Sequence, residues 1–402
     1  MRNSMFDGGD QDYGSAVGWD PKKEERERLK AEARKKYPTL YPEIPELLFV
    51  RSAEACIETA AKWEPMKQLF GPLWLAEEVA VLYSTPGVGK SSLAVQIAES
   101  LARGIPIAPF DKPLPGCEVP PMRVLYIDFE LSLQQFTRRY STESVDGLRV
   151  ENVYQFSPNL LRAEMYWDGR LLDGYEDFTD MLFTDIDNKL VEHRSDVLIC
   201  DNITFLSRSS TANGSIAFRL MNRLQQLKKD RFISILAVAH TPKRRAHVPL
   251  TERDLQGSID LAKVADSMFA LGPSTLAPDL RYIKHIKSRS GRIEHDTNNI
   301  LVYRLAKFDL ANEMRPDSSA IKAENFFGYS FIGSDDEQTH LPAPFRPPAV
   351  KRNPKLDLRR VAYAKLLARQ GLSTAAIGQR LGVGKTTAYR YVGNGGQIAR
   401  SA

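Results

Sequence analysis

Apolar residues change their spacing several times along this chain, and each change marks an element. Between residues 79 and 332, the apolar runs VAVLYS, RVLYIDF, DVLICD and SILAVA alternate with stretches whose apolar residues recur at helical spacing. An unbroken apolar run of strand length fits a strand covered on both faces, as parallel strands are. Four such runs with helices between them predict an α/β fold with a mainly parallel sheet flanked by helices. A fifth run, SMFAL, follows. RYIKHIKSR and NILVYRLAKF, parted by a polar turn around Gly291, predict an antiparallel hairpin. SSLAVQIAESLARG is apolar at Leu93, Ala94, Ile97, Ala98 and Leu101, which is one face of a helix.

The flanks read differently. Residues 1–40 are expected to form a disordered arm with a charged helix in PKKEERERLKAEARKKYP, where opposite charges stand at helical spacing. The main domain is placed at 41–332. Residues 333–355 carry five prolines among charges and read as a linker, 356–395 as a small all-α module, and 396–402 as a tail.

Composition narrows the classes. An apolar share of 43% and a charged share of 26% over 402 residues are those of a globular protein. No run approaches the roughly 18 apolar residues of a membrane span, and the polar, acidic start does not look like a signal peptide. The expectation is a cytoplasmic protein that does not meet a membrane. Cys56, Cys117 and Cys200 lack CxxC spacing and predict neither a disulfide framework nor a structural metal. Charge is uneven: from residue 351 onward, eleven Lys and Arg face the single acid Asp357, so +10 sits in the tail of a chain whose net charge is +5. A basic tail on an acidic body points to a polyanionic partner, here DNA.

The tetrapeptide GVGK occurs twice, at Gly87–Lys90 and Gly382–Lys385. The first copy lies between a strand and a helix. Small residues there let backbone N–H groups converge on phosphate at the positive end of the helix dipole. Ser84, Thr85, Pro86, Gly87, Val88, Gly89, Lys90, Ser91 and Ser92 are therefore the expected ATP-binding loop. Lys90 would reach the β- and γ-phosphates and Ser91 would ligate Mg²⁺. Ser84 stands where the first glycine of this motif is usual. Asp201, ending DVLICD, is the second expected Mg²⁺ ligand. VLYIDFE ends in two acids, Asp128 and Glu130; this strand end resembles that of RecA-type ATPases, where a glutamate is the general base, which implies Glu130 with Asp128 as the fallback. His240, just past SILAVA, is placed within reach of the γ-phosphate.

The second copy lies between helices. In LSTAAIGQRL, Leu372, Ala376, Ile377 and Leu381 share helical spacing and Ser373 is a candidate N-cap. GVG then reads as the turn of a helix-turn-helix. KTTAYRYV is its recognition helix, offering Lys385, Thr386, Thr387, Tyr389 and Arg390 to duplex DNA. The module resembles resolvase-type helix-turn-helix domains, departing from them by Gly378 where alanine is usual and Gly384 where serine is common.

The order LYSTPGVGKSSLA, VLYIDFELS, VLICDNITFL, AVAHTPK, DLQGSIDLAKVADSMFAL and IKSRSG, over about residues 65 to 310, resembles the RecA-like P-loop ATPases and especially the plasmid RepA-type hexameric replicative helicases, whose loop also carries serine first. The resemblance implies a RecA-like P-loop NTPase core, Glu130 as the base that polarises water, and His240 as a γ-phosphate sensor. It also implies Lys287 and Arg289 as cationic fingers that reach the nucleotide of the adjacent subunit. It places the loops after Asp201 and His240 at a ring's centre, with Arg208, Lys243, Arg244 and Arg245 as candidates for holding single-stranded DNA by its phosphates. The functional expectation is an ATP hydrolase, a helicase in DNA replication working as a homo-oligomer, expected to be a hexamer. A DNA-stimulated ATPase that loads or remodels proteins, and an ATP-switched DNA-binding regulator, are the alternatives.

Overall fold

Four strands whose residues are almost all buried, β2 (Val79–Ser84), β3 (Val124–Asp128), β7 (Val197–Asp201) and β8 (Ser234–His240), form the centre of the molecule. The computed structural model describes residues 25, 28, 50–113, 115–144, 149–166, 169–171, 173–206, 214–242, 244–255, 259–310, 324–343 and 358–393. The chain divides into two units, Met1–Pro65 and Met66–Ala402. The first holds α1 (Ala53–Ala60), whose N-cap Ser52 accepts the amide of Ala55 at 3.1 Å. Within the expected charged arm only Glu25 and Arg28 are described; both are helical and paired at 2.9 Å.

In the second unit the short β1 (Leu69–Pro72) precedes β2, and α2 (Lys90–Arg103) joins β2 to β3. After β3 come α3 (Leu133–Arg139), the two-stranded ribbon β4 (Thr142–Glu143) and β5 (Val150–Glu151), β6 (Leu160–Glu164), and α4 (Phe178–Glu192), which leads into β7. Helix α5 (Gly214–Arg231) connects β7 to β8, and α6 (Ile259–Val264) precedes β9 (Ser267–Pro273). Three strands then fold back antiparallel: β10 (Leu280–Ser288), β11 (Ile300–Phe308) and β12 (Phe326–Asp335). The nine-stranded sheet runs β12-β11-β10-β9-β2-β8-β7-β3-β6, parallel from β9 to β6. This is the predicted α/β sheet, with the predicted hairpin as β10–β11. β6 and β12 were not legible as strands: LLRAE mixes charge into a half-buried edge, and FFGYSFIGSD is broken by two glycines.

The sheet separates two cores, as the alternation of side chains along a strand requires. Ala80 and Leu82 of β2 pack with Leu93, Ala94, Ile97, Ala98 and Leu101 of α2. Val79, Val81 and Tyr83 face the other way, toward Phe183, Ile186 and Leu190 of α4 and Leu220, Met221 and Leu224 of α5. The predicted amphipathic face of α2 is thus the buried face.

Two expectations need correction. The linker cannot start at 333, because β12 runs to Asp335 and α7 (Glu337–His340) follows, with Glu337 and His340 fully buried. The acidic run conceals a buried pair. Glu337 accepts from Lys284 Nζ at 2.6 Å, Tyr282 Oη at 3.1 Å and the Leu250 amide at 2.7 Å, so its charge is matched rather than solvated. The helical module, α8 (Leu358–Arg369), α9 (Thr374–Leu381) and α10 (Lys385–Val392), is also more than a tethered attachment. Tyr363, Leu367, Ile377 and Tyr391 are buried in the same apolar cluster as Tyr282 and Leu341, and Gln370 Nε2 donates to the Ile332 carbonyl at 2.6 Å. Residues 344–357 and 394–402 lie outside the described residues.

Candidate active site

The loop Thr85–Gly89 leaves the carboxyl end of β2 and delivers the chain into α2, whose first-turn amides have no side chain capping them. That leaves N–H groups and the positive helix end facing outward, as an anion requires. Gly89 has φ 112°, and a Cβ there would come within 2.3 Å of Tyr329 Oη, so both conformation and space demand glycine. Gly87, by contrast, fronts open space. The back of the loop is braced from the antiparallel strands: Tyr329 Oη donates to the carbonyls of Gly89 (3.0 Å) and Val88 (3.3 Å), and Arg281 Nε to Val88 (2.9 Å). Tyr329 and Arg281 were not among the expected site residues; they stand roughly 190 to 240 residues away in sequence, and nothing local marks them.

Four neighbouring strand ends converge here, because β8, β7 and β3 are in parallel register beside β2, with Ser84 opposite His240 and Asp128 opposite Asp201. Lys90 is 5% exposed, and its Nζ donates to the carbonyls of Ser84 and Thr85, each at 3.3 Å, and to His240 Nδ1 at 3.0 Å. Burial pushes its ammonium down to about 8, against the attraction of Asp201 and Glu130. His240 Nε2 lies 3.1 Å from Glu130 Oε1, so a ring that accepts from Lys90 donates to Glu130. Asn202 Nδ2 also donates to that carboxylate. The His240 hydrogen bond is the largest influence holding the Glu130 carboxyl below its ordinary range, with help from Lys90 and Asn202 and against partial burial.

Asp201 is 2% exposed and accepts from Tyr126 Oη at 2.7 Å and from the Ser91 hydroxyl. Burial pushes its carboxyl up, and these two hydrogen bonds work against that shift. The two expected Mg²⁺ ligands are therefore adjacent. Hard oxygen donors, one of them a hydroxyl at a helix start, suit Mg²⁺, which keeps most of its waters. A buried lysine whose partners are carbonyls and an imidazole equally suits a phosphate. Asp128 is engaged elsewhere: Oδ2 accepts from Arg162 Nε (3.1 Å) and Nη2 (2.9 Å), and Oδ1 from the amides of Glu130 and Leu131. Glu130, with its side chain 33% exposed, is the carboxylate open to solvent.

Lys287 and Arg289 are not in this cluster. They lie toward the amino-terminal end of β2, since Lys287 and Ser288 of β10 pair with Met268 and Ser267 of β9, which stand opposite Val81 and Ala80. The P-loop leaves the other end of that strand, roughly 10 Å further along at a strand's rise per residue. Lys287 Nζ donates to the carbonyl of Ala265 at 2.8 Å, and Arg289 pairs with Asp266 at 3.1 Å. Neither serves the P-loop of its own chain.

Of the four expected strand-holding cations, Arg208 and Lys243 lie outside the described residues. Arg244 is committed internally: it is only 10% exposed, pairs with Asp254 at 3.0 Å and donates to the carbonyls of Val248 and Pro249. That corrects its placement among DNA contacts. Arg245 is exposed.

At the second GVGK, Ser373 caps α9 by accepting the Ala376 amide at 3.3 Å, Gly382 ends that helix at φ 63°, and α10 starts at Lys385. This is the expected helix, turn and helix, with no strand feeding the loop. Gly378 is explained as well. A Cβ there would lie 2.9 Å from the carbonyl of Val383 in the turn, while Ala388 Cβ at 3.5 Å is in ordinary contact, so it is the turn that leaves no room for alanine. Lys385, Thr386, Tyr389 and Arg390 are exposed and Thr387 is half-buried, while Ala388 and Tyr391 face inward.

Residues 49–246 match the family model of the AAA domain. With the mostly parallel central sheet, this match supports a P-loop NTPase that binds and hydrolyses ATP. The matched stretch contains the P-loop, Glu130, Asp201 and His240, and stops before β9. No curated protein matches the chain. Among the described residues no helix is long and apolar enough to cross a membrane.

Proposed function

We propose that this protein is an ATP-driven DNA motor, a RepA-like replicative helicase that hydrolyses ATP between subunits of a ring, expected to be a hexamer, and is localised by its helix-turn-helix. The observation that carries the reading is the separation of two cationic groups along one strand direction: Lys90 past the carboxyl end of β2, Lys287 and Arg289 level with its amino-terminal half. Lys287 and Arg289 would meet a nucleotide on another copy through a head-to-tail contact, which closes into a ring when its rotation allows.

ATP with Mg²⁺ supplies the phosphoanhydride bond that is cleaved. Lys90 and the amides of the P-loop hold the triphosphate, and Ser91 and Asp201 hold the metal. Glu130, kept ionised by His240, orients and deprotonates water. His240 bridges Lys90 and Glu130 and so senses whether the phosphate end of the site is filled. Arg289 and Lys287 of one subunit stabilise charge in the site of the next, a contribution worth on the order of 10³-fold or more where such cations act. Arg245, with Arg208 and Lys243, tracks a single strand by its phosphates, and α10 reads a duplex.

The test is strand displacement on forked DNA with ATP, run beside ATPase assays with and without single-stranded DNA. Displacement with stimulated turnover is expected. Stimulated hydrolysis without displacement would instead identify a protein-loading or remodelling ATPase, and DNA binding with negligible turnover an ATP-switched regulator.

A further inference from the structure

Asn202 follows Asp201 at the end of β7 and is 1% exposed, yet its side chain makes no contact with the expected metal ligands that any hydrogen bond records. Its Oδ1 accepts from the Thr204 amide at 2.9 Å and from the Thr204 hydroxyl. Its Nδ2 donates to Glu130 Oε1 and stands 2.9 Å from His240 Nε2. Glu130 and Thr204 set the orientation of the amide; with the His240 Nε2–H directed at Glu130, the approach of Nδ2 to Nε2 is a contact between two donors that share that carboxylate. Flipped, Oδ1 would face the Glu130 carboxylate, acceptor against acceptor, and the NH₂ would face the Thr204 amide, donor against donor.

We propose that Asn202 is a positioning residue for the base, the side chain that fixes the Glu130 carboxylate in its reactive place. The proposal rests on the reading of Glu130 as the base. Glu130 follows β3 on an exposed turn, with a third of its side chain in solvent, and a glutamate there has several rotamers. Two donors from two adjacent strands meet on its Oε1: His240 at the end of β8 and Asn202 at the end of β7. Two fixed points define a direction where one defines only a distance. His240 is itself tied to Lys90 and so to the phosphate end of the site, whereas Asn202, although its Nδ2 also lies 2.9 Å from His240 Nε2, is held from behind by Thr204. Asn202 is therefore the donor anchored to the strand end by Thr204 rather than by Lys90. Misplacing a reacting group by an ångström can cost on the order of 10²-fold in rate.

The experiment measures steady-state ATPase of the full chain, at saturating Mg²⁺, for Asn202→Ala, Asn202→Asp and Glu130→Gln, with melting temperatures alongside. Asn202→Asp is the discriminating variant. It keeps the volume and the acceptor for Thr204, but it replaces the donor with a second carboxylate against Glu130. The expected result is a fall in kcat of roughly 10- to 100-fold for both Asn202 variants and KM for ATP within about 2-fold, with the melting temperature of Asn202→Asp lowered by its second buried carboxylate and the unfolding transition still cooperative at the assay temperature. Wild-type kcat in Asn202→Asp would overturn the proposal and leave Asn202 as a fold residue serving Thr204. A loss confined to KM would overturn it too. Glu130→Gln separates the two levels: wild-type turnover there sinks the base assignment itself, while an inactive Glu130→Gln beside an active Asn202→Asp sinks only the positioning role.

Discussion

His240 and Glu130 are joined across the mouth of the site by a 3.1 Å contact from Nε2 to Oε1, and the opposite ring nitrogen is 3.0 Å from Lys90 Nζ. An imidazole held this way carries information between the group that grips phosphate and the group that activates water. Replacing Glu130 by Gln keeps an acceptor oxygen but removes the charge that takes a proton. Nucleotide binding should persist while turnover falls by about 10²-fold or more. Equilibrium titration with a fluorescent nucleotide beside a turnover assay checks both halves. Normal turnover would reassign the base.

Lys90 predicts two opposite pH trends. Its ammonium is lowered by burial to about 8, so in the free protein it loses its proton as pH rises through that value. Affinity for a non-hydrolysable nucleotide should weaken across the same interval. Fold stability should move the other way. Between about 8 and the unfolded value of 10.5, the unfolded chain binds more protons than the folded one, so Lys90 contributes rising stability with pH. The melting temperature of wild type relative to Lys90→Met, followed from pH 7 to 10, isolates this effect. A flat difference would mean that the lysine is not desolvated.

The two GVGK copies should separate by variant. Lys385→Ala should leave ATPase unchanged and weaken duplex binding about equally on all sequences with a shallower salt slope, whereas an Arg390 contact to a base edge should cost about 1–3 kcal/mol at one position. Gly378→Ala makes a harder demand. Helix propensity alone favours alanine by about 1 kcal/mol, but the 2.9 Å approach to the Val383 carbonyl predicts net destabilisation. A raised melting temperature would show that the turn carrying the Val383 carbonyl gives way.

Mixed assemblies test the fingers. If Arg289 acts on the neighbouring site, combining inactive Arg289→Ala and Lys90→Ala chains restores some interfaces with an intact loop and an intact arginine, and partial activity returns. Mixed rings verified by mass that remain wholly inactive would exclude action across the interface.

Legibility in the sequence followed locality. The parallel strands and the P-loop were readable because burial on both faces and the loop's backbone needs are written into contiguous residues. The partners that complete the site come from distant segments. Arg162, which occupies Asp128 and leaves Glu130 as the open carboxylate, is 34 residues away, and Tyr329 lies 240 from the glycine it supports. Asn202 was adjacent to a recognised residue and still invisible, because a polar residue after an apolar strand reads as the start of a turn. Arg244 misled for the same reason in reverse: a run of cations looks solvated until Asp254 and two carbonyls are found around one of them.

Strand β12 has a consequence for how this protein can be dissected. Tyr329 on it supports the P-loop, and three residues later the Ile332 carbonyl receives Gln370, just past α8, about 10 Å along the same strand. Truncation before α8 would strip that bond and uncover apolar surface around Ile332 and Leu341, at the far end of the segment that steadies Val88 and Gly89. A shortened chain with poor ATPase would then report a frayed sheet edge, not a regulatory loss. Clean separation-of-function alleles must come from side chains on the outer face of α10, where Lys385, Tyr389 and Arg390 can be changed without loosening the beam beneath them.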